Sequence, residues 1–142
     1  MIVAGSALSA SGPKTLHFLE VSWPDNQGSF IDHNGNNRPD PGDAFLGGSD
    51  IYTWSGAKRG DHIGVIRVMC TIAAPNAAQC QGTFSLPGGT LEGVGYVRFA
   101  KTTTVPIVGG TGIYAGARGT FTSVSIGGPD SPKSADTIRL LP

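Results

Sequence analysis

His62-Ile-Gly-Val-Ile-Arg-Val-Met-Cys-Thr-Ile72 is followed by Ala78-Ala-Gln-Cys-Gln-Gly-Thr-Phe-Ser-Leu86 and Leu91-Glu-Gly-Val-Gly-Tyr-Val-Arg-Phe-Ala-Lys101, with Pro75-Asn76 and Pro87-Gly88-Gly89 between them. Apolar runs of this length, rich in β-branched residues and bounded by Pro, Gly and Asn, read as strands joined by hairpin turns. The same grammar extends both ways. Leu16–Trp23 and Ala44–Trp54 precede the three runs, and Thr103–Val108, Gly119–Ile126 and Thr137–Leu141 follow them. No segment of helical length has a 3.6-residue apolar period. Eight strands at hairpin spacing predict an all-β fold, an antiparallel barrel or sandwich. A closed barrel is preferred, because closure removes both sheet edges.

Composition agrees. The chain has 142 residues, of which 22 are Gly and 10 Pro, too many helix interrupters for a bundle. At 39% hydrophobic it is too apolar for a disordered chain, and its length suits one domain over residues 1–142. Zero formal net charge argues against a nucleic-acid partner. No apolar stretch reaches the roughly 20 residues of a membrane-spanning helix, so no membrane partner is expected. Residues 1–14 read as a flexible segment. Within them, Met1–Gly12 is small and uncharged, as the tail of a trimmed signal peptide or an ordinary terminus would be. A secreted or extracytoplasmic location and a cytoplasmic biosynthetic enzyme both remain open.

A hairpin turning near Pro75-Asn76 brings Cys70 and Cys80 nearly opposite each other, within disulfide reach. A disulfide and two buried thiols both fit. Zinc does not, because two cysteines have no third and fourth soft ligand nearby.

Gly109-Gly-Thr-Gly-Ile-Tyr-Ala-Gly-Ala-Arg-Gly119 resembles the Gly-Gly-(Ser/Thr)-Gly-x-(Phe/Tyr)-x-Gly-x-x-Gly segment of allene oxide cyclases and plant dirigent proteins. Pro41-Gly-Asp43 with Asp50-Ile-Tyr52, Gly64 and Cys70 resembles the cyclase pattern around its second and third strands. Phe84-Ser85, Gly88-Gly89 and Leu91–Gly95 match the hairpin before the glycine turn. The resemblance covers roughly residues 41–122. It implies an eight-stranded antiparallel β-barrel of allene oxide cyclase/dirigent type, with an apolar cavity, no cofactor, and assembly as a homodimer or homotrimer. It also implies chemistry by confinement, in which the cavity selects one product-forming conformer of an apolar small molecule and excludes water. Glu20 lies near where that family places its strand-one glutamate, and Ser49 stands where the plant enzymes have Asn.

The candidate site residues follow from strand alternation. Glu20, Tyr52 and Arg67 are the catalytic candidates, and Phe18, Trp54, Met69, Tyr96 and Arg98 the substrate-binding ones. Arg67 shares a strand face with Ile63, Val65 and Met69, where an unpaired charge is unfavourable, so Glu20 is its expected partner. As a pair, Glu20 would act as base or orient the substrate while Arg67 stabilises a developing oxyanion; otherwise they form a structural pair at a barrel rim, or Arg67 simply faces solvent. Tyr52 and Trp54 would form an aromatic wall, or pack with no function. Tyr96 and Arg98 share a face with Glu92 and suit an outer surface equally well.

Asp32, Asn34, Asn36, Asp40 and Asp43 place side-chain oxygens at positions 1, 3, 5, 9 and 12, the cadence of a calcium loop. Asn and Asp also make turns with no ion. His17, His33 and His62 show no metal-ligand spacing, and Gly109–Gly112 lacks the Lys-(Ser/Thr) of a phosphate loop. Three functions stay open: a cyclase or isomerase acting on a polyketide-, terpenoid- or phenolic-like molecule, a binding barrel without chemistry, and a secreted structural barrel.

Overall fold

The structure, a computed structural model, describes residues 14–24, 29–128 and 130–142. The expected flexible segment therefore lies outside the described residues, except Lys14, which opens the first strand. Nine strands follow in order: β1 (Lys14–Ser22), β2 (Ser29–Ile31), β3 (Ala44–Trp54), β4 (Arg59–Ala74), β5 (Ala77–Leu86), β6 (Gly89–Arg98), β7 (Thr102–Gly110), β8 (Gly119–Ile126) and β9 (Lys133–Leu140). From β3 to β9 each strand pairs antiparallel with the next, and β1 pairs with both β9 and β3. Those eight strands close the barrel. The short β2 pairs with Ala44–Leu46 of β3 and continues the edge that β1 occupies from Ser49 to Thr53.

The sequence reading places β3 and β8 at their observed limits and starts β9 four residues late. Lys133, Ser134 and Asp136 carry no apolar signal, so hydrophobicity alone misses the first half of that strand.

One half of the barrel is packed solid. Phe18, Ile51, Ile66, Phe84, Leu91, Ile107, Phe121 and Ile138 point inward and form its core. Phe84 meets Phe121 and Phe18 edge-on, with ring centroids 4.9 and 6.3 Å apart. The glycine segment plugs this end. Gly112–Tyr114 makes a 3-10 turn that buries Tyr114 beside Leu140. Gly112 has φ +61°, and a Cβ there would lie 2.1 Å from the Gly88 carbonyl oxygen, so only glycine fits.

The β4–β5 hairpin pairs Cys70 with Cys80, and they form a disulfide with Cα atoms 4.1 Å apart. Closing a loop of sequence separation 10 restricts the unfolded chain by about 3 kcal/mol. Reduction is expected to lower stability by about 2–3 kcal/mol in a urea melt with and without reductant. Equal midpoints would show that the bond contributes no stability.

Candidate functional site

The other half of the interior is open because its inward positions carry little side chain. Gly82 pairs with Gly93, and Cys80 with Gly95, across β5 and β6. They leave a pocket of about 170 Å³ lined by Glu20, Ile66, Val68, Cys80, Gly82, Phe84, Gly93, Val97, Thr103, Val105 and Phe121. Glu20 is the one charged residue of that wall among the described residues. A second, rim pocket of about 740 Å³ lies at the same end of the barrel, between Phe99–Lys101 and Val124–Gly128.

Glu20 is held by its neighbours on β3 and β9. Ser49 Oγ donates to Glu20 Oε1 at 2.6 Å. Asp136 lies opposite Phe18 and Ser123 on the inward face, diagonal to Glu20, and is 2% exposed. Glu20 and Ser123 approach it, but neither of its carboxyl oxygens has a partner in hydrogen-bond geometry. Burial, and then the negative charge of Glu20, push the Asp136 carboxyl far above the usual carboxylate range. At neutral pH Asp136 is therefore protonated, and it holds that proton beside Glu20.

Sequence reasoning missed Asp136. The signal was its parity with Ile138 and Leu140, which makes it an acid on an apolar face.

Of the residues singled out from sequence, the structure brings Glu20 to the pocket and buries Phe18 in the core behind Phe84. The others face away. Arg67 does not meet Glu20. It is exposed on the outer face, its guanidinium 5.6 Å from the Trp23 ring centroid. The inward face of β4 is that of Ile66, Val68, Cys70 and Ile72, so the alternation runs one residue out of phase with the expected lining. Tyr52 lies outside as well, edge-on to His62 and under Arg59. Trp54 sits at the far rim beside Lys58 and Arg59. Met69 and Tyr96 are outer-surface residues at 46% and 52% exposure, and Arg98 is exposed at the end of β6.

The Asp/Asn-rich loop draws its polar groups to one another. Asp32 accepts the backbone N–H groups of Asn34, Gly35 and Asn37, and these bonds hold its carboxyl below the ordinary value. Asp43 is buried and accepts from the His33 backbone and ring and from the Asp40 N–H. The His33 bond lowers the Asp43 carboxyl to about 2 and raises the His33 ring. Asn34 and Asn36 turn their amide nitrogens, not their oxygens, toward Asp40. His33, Asp40 and Asp43 bring ligand atoms within 4.8 Å of one another, and Asp32 stands outside that group. Of the acids of the calcium cadence, Asp40 and Asp43 belong to that group.

No protein-family model and no curated protein matches the sequence. Solved structures match the fold. A pyocyanin demethylase superposes with a TM-score of 0.71 at 22% identity, over 89% of this chain and 99% of that one. The pterocarpan synthase dirigent protein PsPTS1 gives 0.71 at 16% identity, over 91% and 94%. The Diels-Alderase AbmU from Streptomyces koyangensis gives 0.66 at 16% identity, over 94% and 72%. At such identities the likeness is one of fold, and the barrel implied by the glycine segment is the fold this chain has.

Proposed function

We propose that the barrel binds an apolar, polyketide-, terpenoid- or phenolic-like molecule in its pocket and directs its regio- or stereoselective cyclization without a cofactor. The observation that carries this reading is the pocket: an inward space opened by paired glycines, walled by Phe84, Phe121 and aliphatic side chains, and bearing Glu20. A cavity of about 150 Å³ admits a molecule of benzene size. One forming ring would thus sit inside, while the rest of the substrate leaves through the mouth.

Confinement would select a near-attack conformer, and the apolar wall would keep water from a reactive intermediate. Glu20 is positioned to orient the substrate or take a proton, and Asp136 holds a proton beside it. Names borne by neighbours of the same fold, a Diels-Alderase and a pterocarpan synthase dirigent protein, support cyclization as the reaction type. The disulfide suits an extracytoplasmic compartment, and no helix among the described residues is long and apolar enough to cross a membrane. Leu46, Met69 and Val94 are exposed on the outer face, which supports assembly as a homodimer or homotrimer.

The test is product distribution. Linear polyene and phenolic precursors that cyclize spontaneously are incubated with and without the protein, and their products separated by chiral chromatography. At least one precursor is expected to give a single dominant stereoisomer, and Glu20→Gln to return the mixture toward the spontaneous ratio. Identical mixtures for every precursor would sink the proposal.

A further inference from the structure

A negative charge in an apolar pocket with no base beside it lacks half of its chemistry. The wall contributes Glu20 and, among the described residues, no lysine, arginine or histidine. The charged side chains of the surrounding strands are engaged or turned elsewhere. Arg67 lies over Trp23 on the outer face, Glu92 accepts from Thr83 Oγ1 at 2.8 Å, and Lys101 is exposed on the rim. Ser49 gives Glu20 a hydrogen bond but no countercharge. Asp136 beside Glu20 is a second acid, which brings a proton but no positive charge. Phe84 and Phe121 supply aromatic rings to the same space, and the face of such a ring attracts a cation.

We propose that the ligand group seated beside Glu20 is a cation, a protonated amine or iminium on an apolar body about one ring wide. The proposal rests on the pocket being the ligand site and names the charge of its occupant. Glu20 is half-buried in an apolar wall, where a charge is unfavourable unless paired, so a ligand N–H⁺ supplies the countercharge that the barrel withholds. A neutral ligand leaves the carboxylate without a countercharge, and an anion meets repulsion.

Benzylammonium, benzyl alcohol and benzoate share one ring and differ in charge, and each is titrated into the ¹⁵N-labelled protein while amide shifts are followed. Benzylammonium is expected to bind about tenfold tighter than benzyl alcohol, with benzoate weakest. Glu20→Gln, checked for folding by its amide spectrum, should abolish that preference. Equal affinity of the wild type for benzylammonium and benzyl alcohol, or tighter benzoate, overturns the cation and leaves the pocket standing. Shifts from none of the three overturn both. The wild-type comparison decides the matter even where the variant fails to fold.

Discussion

Asp136→Asn is expected to make the protein more stable at neutral pH and to flatten its pH dependence. The Asp136 carboxyl is raised in the folded state, first by burial and then by the charge of Glu20. A group whose folded value is raised contributes stability that is fully present below its unfolded value, about 3.9, and is lost as pH rises toward the folded value. From about pH 4 upward through neutrality, folding must therefore take up a proton that the unfolded chain has released. At pH 7 that uptake costs about 4 kcal/mol for one aspartate. Asparagine is neutral at every pH and nearly isosteric, and its amide can donate to Glu20. Urea melts of both proteins between pH 4 and 8 should show the wild type weakening as pH rises. The variant should stay level to about pH 6.5, keep above it only the fall that the raised His33 ring imposes on both proteins, and gain about 2–4 kcal/mol at pH 7. Parallel curves would mean that Asp136 folds as an ordinary carboxylate.

A gain of that size from one conservative change marks a residue kept for something other than stability. A buried acid held neutral beside a second carboxyl is an arrangement suited to moving a proton, and carboxyls raised in this way recur at such sites. The variant should accordingly lose product selectivity while its melting point rises. The two readouts moving in opposite directions separate a functional carboxyl from a merely strained one.

Much of the fold was legible because Gly and Pro punctuate the chain at hairpin intervals, and the glycine segment at 109–119 has a spacing that a close-packed turn requires. The site was less so. Glu20 was reached through the resemblance, which places a strand-one glutamate near it, and in the structure it shares a face with Leu16 and Phe18, where an acid is out of place. Asp136 obeys the same rule, yet its strand opens with Lys133 and Ser134, so the face was invisible from that side. Arg67 illustrates the opposite failure. Both faces of β4 are apolar, with Ile63, Val65 and Met69 alternating against Ile66, Val68 and Ile72, and nothing within the strand says which set is inside. Barrel closure through β1 and β3 settles that parity, and closure is not a local property.

Gly82 and Gly93 read in the sequence as ordinary strand residues, and their replacement should have the largest effect on function. They are paired across β5 and β6 with the pocket in front of them. A Cβ at either position would find its nearest neighbour at 3.5 Å, the Arg67 carbonyl oxygen for Gly82 and Val105 for Gly93, which is ordinary contact. Neither glycine has positive φ, so alanine adopts both conformations without strain. Glycine inside a strand is worse than alanine by about 0.5–1 kcal/mol, and the Gly82→Ala/Gly93→Ala double variant should therefore melt higher than wild type. Its two methyl groups would occupy space in a pocket of only about 170 Å³. Ligand affinity and product selectivity are expected to fall by about tenfold or more, since a methyl group that crowds a bound ring is worth on the order of 1–3 kcal/mol. Gly119→Ala supplies the contrast: its Cβ would lie 1.9 Å from the Arg139 carbonyl oxygen, so it should unfold the protein more readily without touching the pocket. If the double variant binds and directs cyclization as the wild type does, the ligand lies elsewhere, because no other change fills this pocket so directly while leaving the barrel intact.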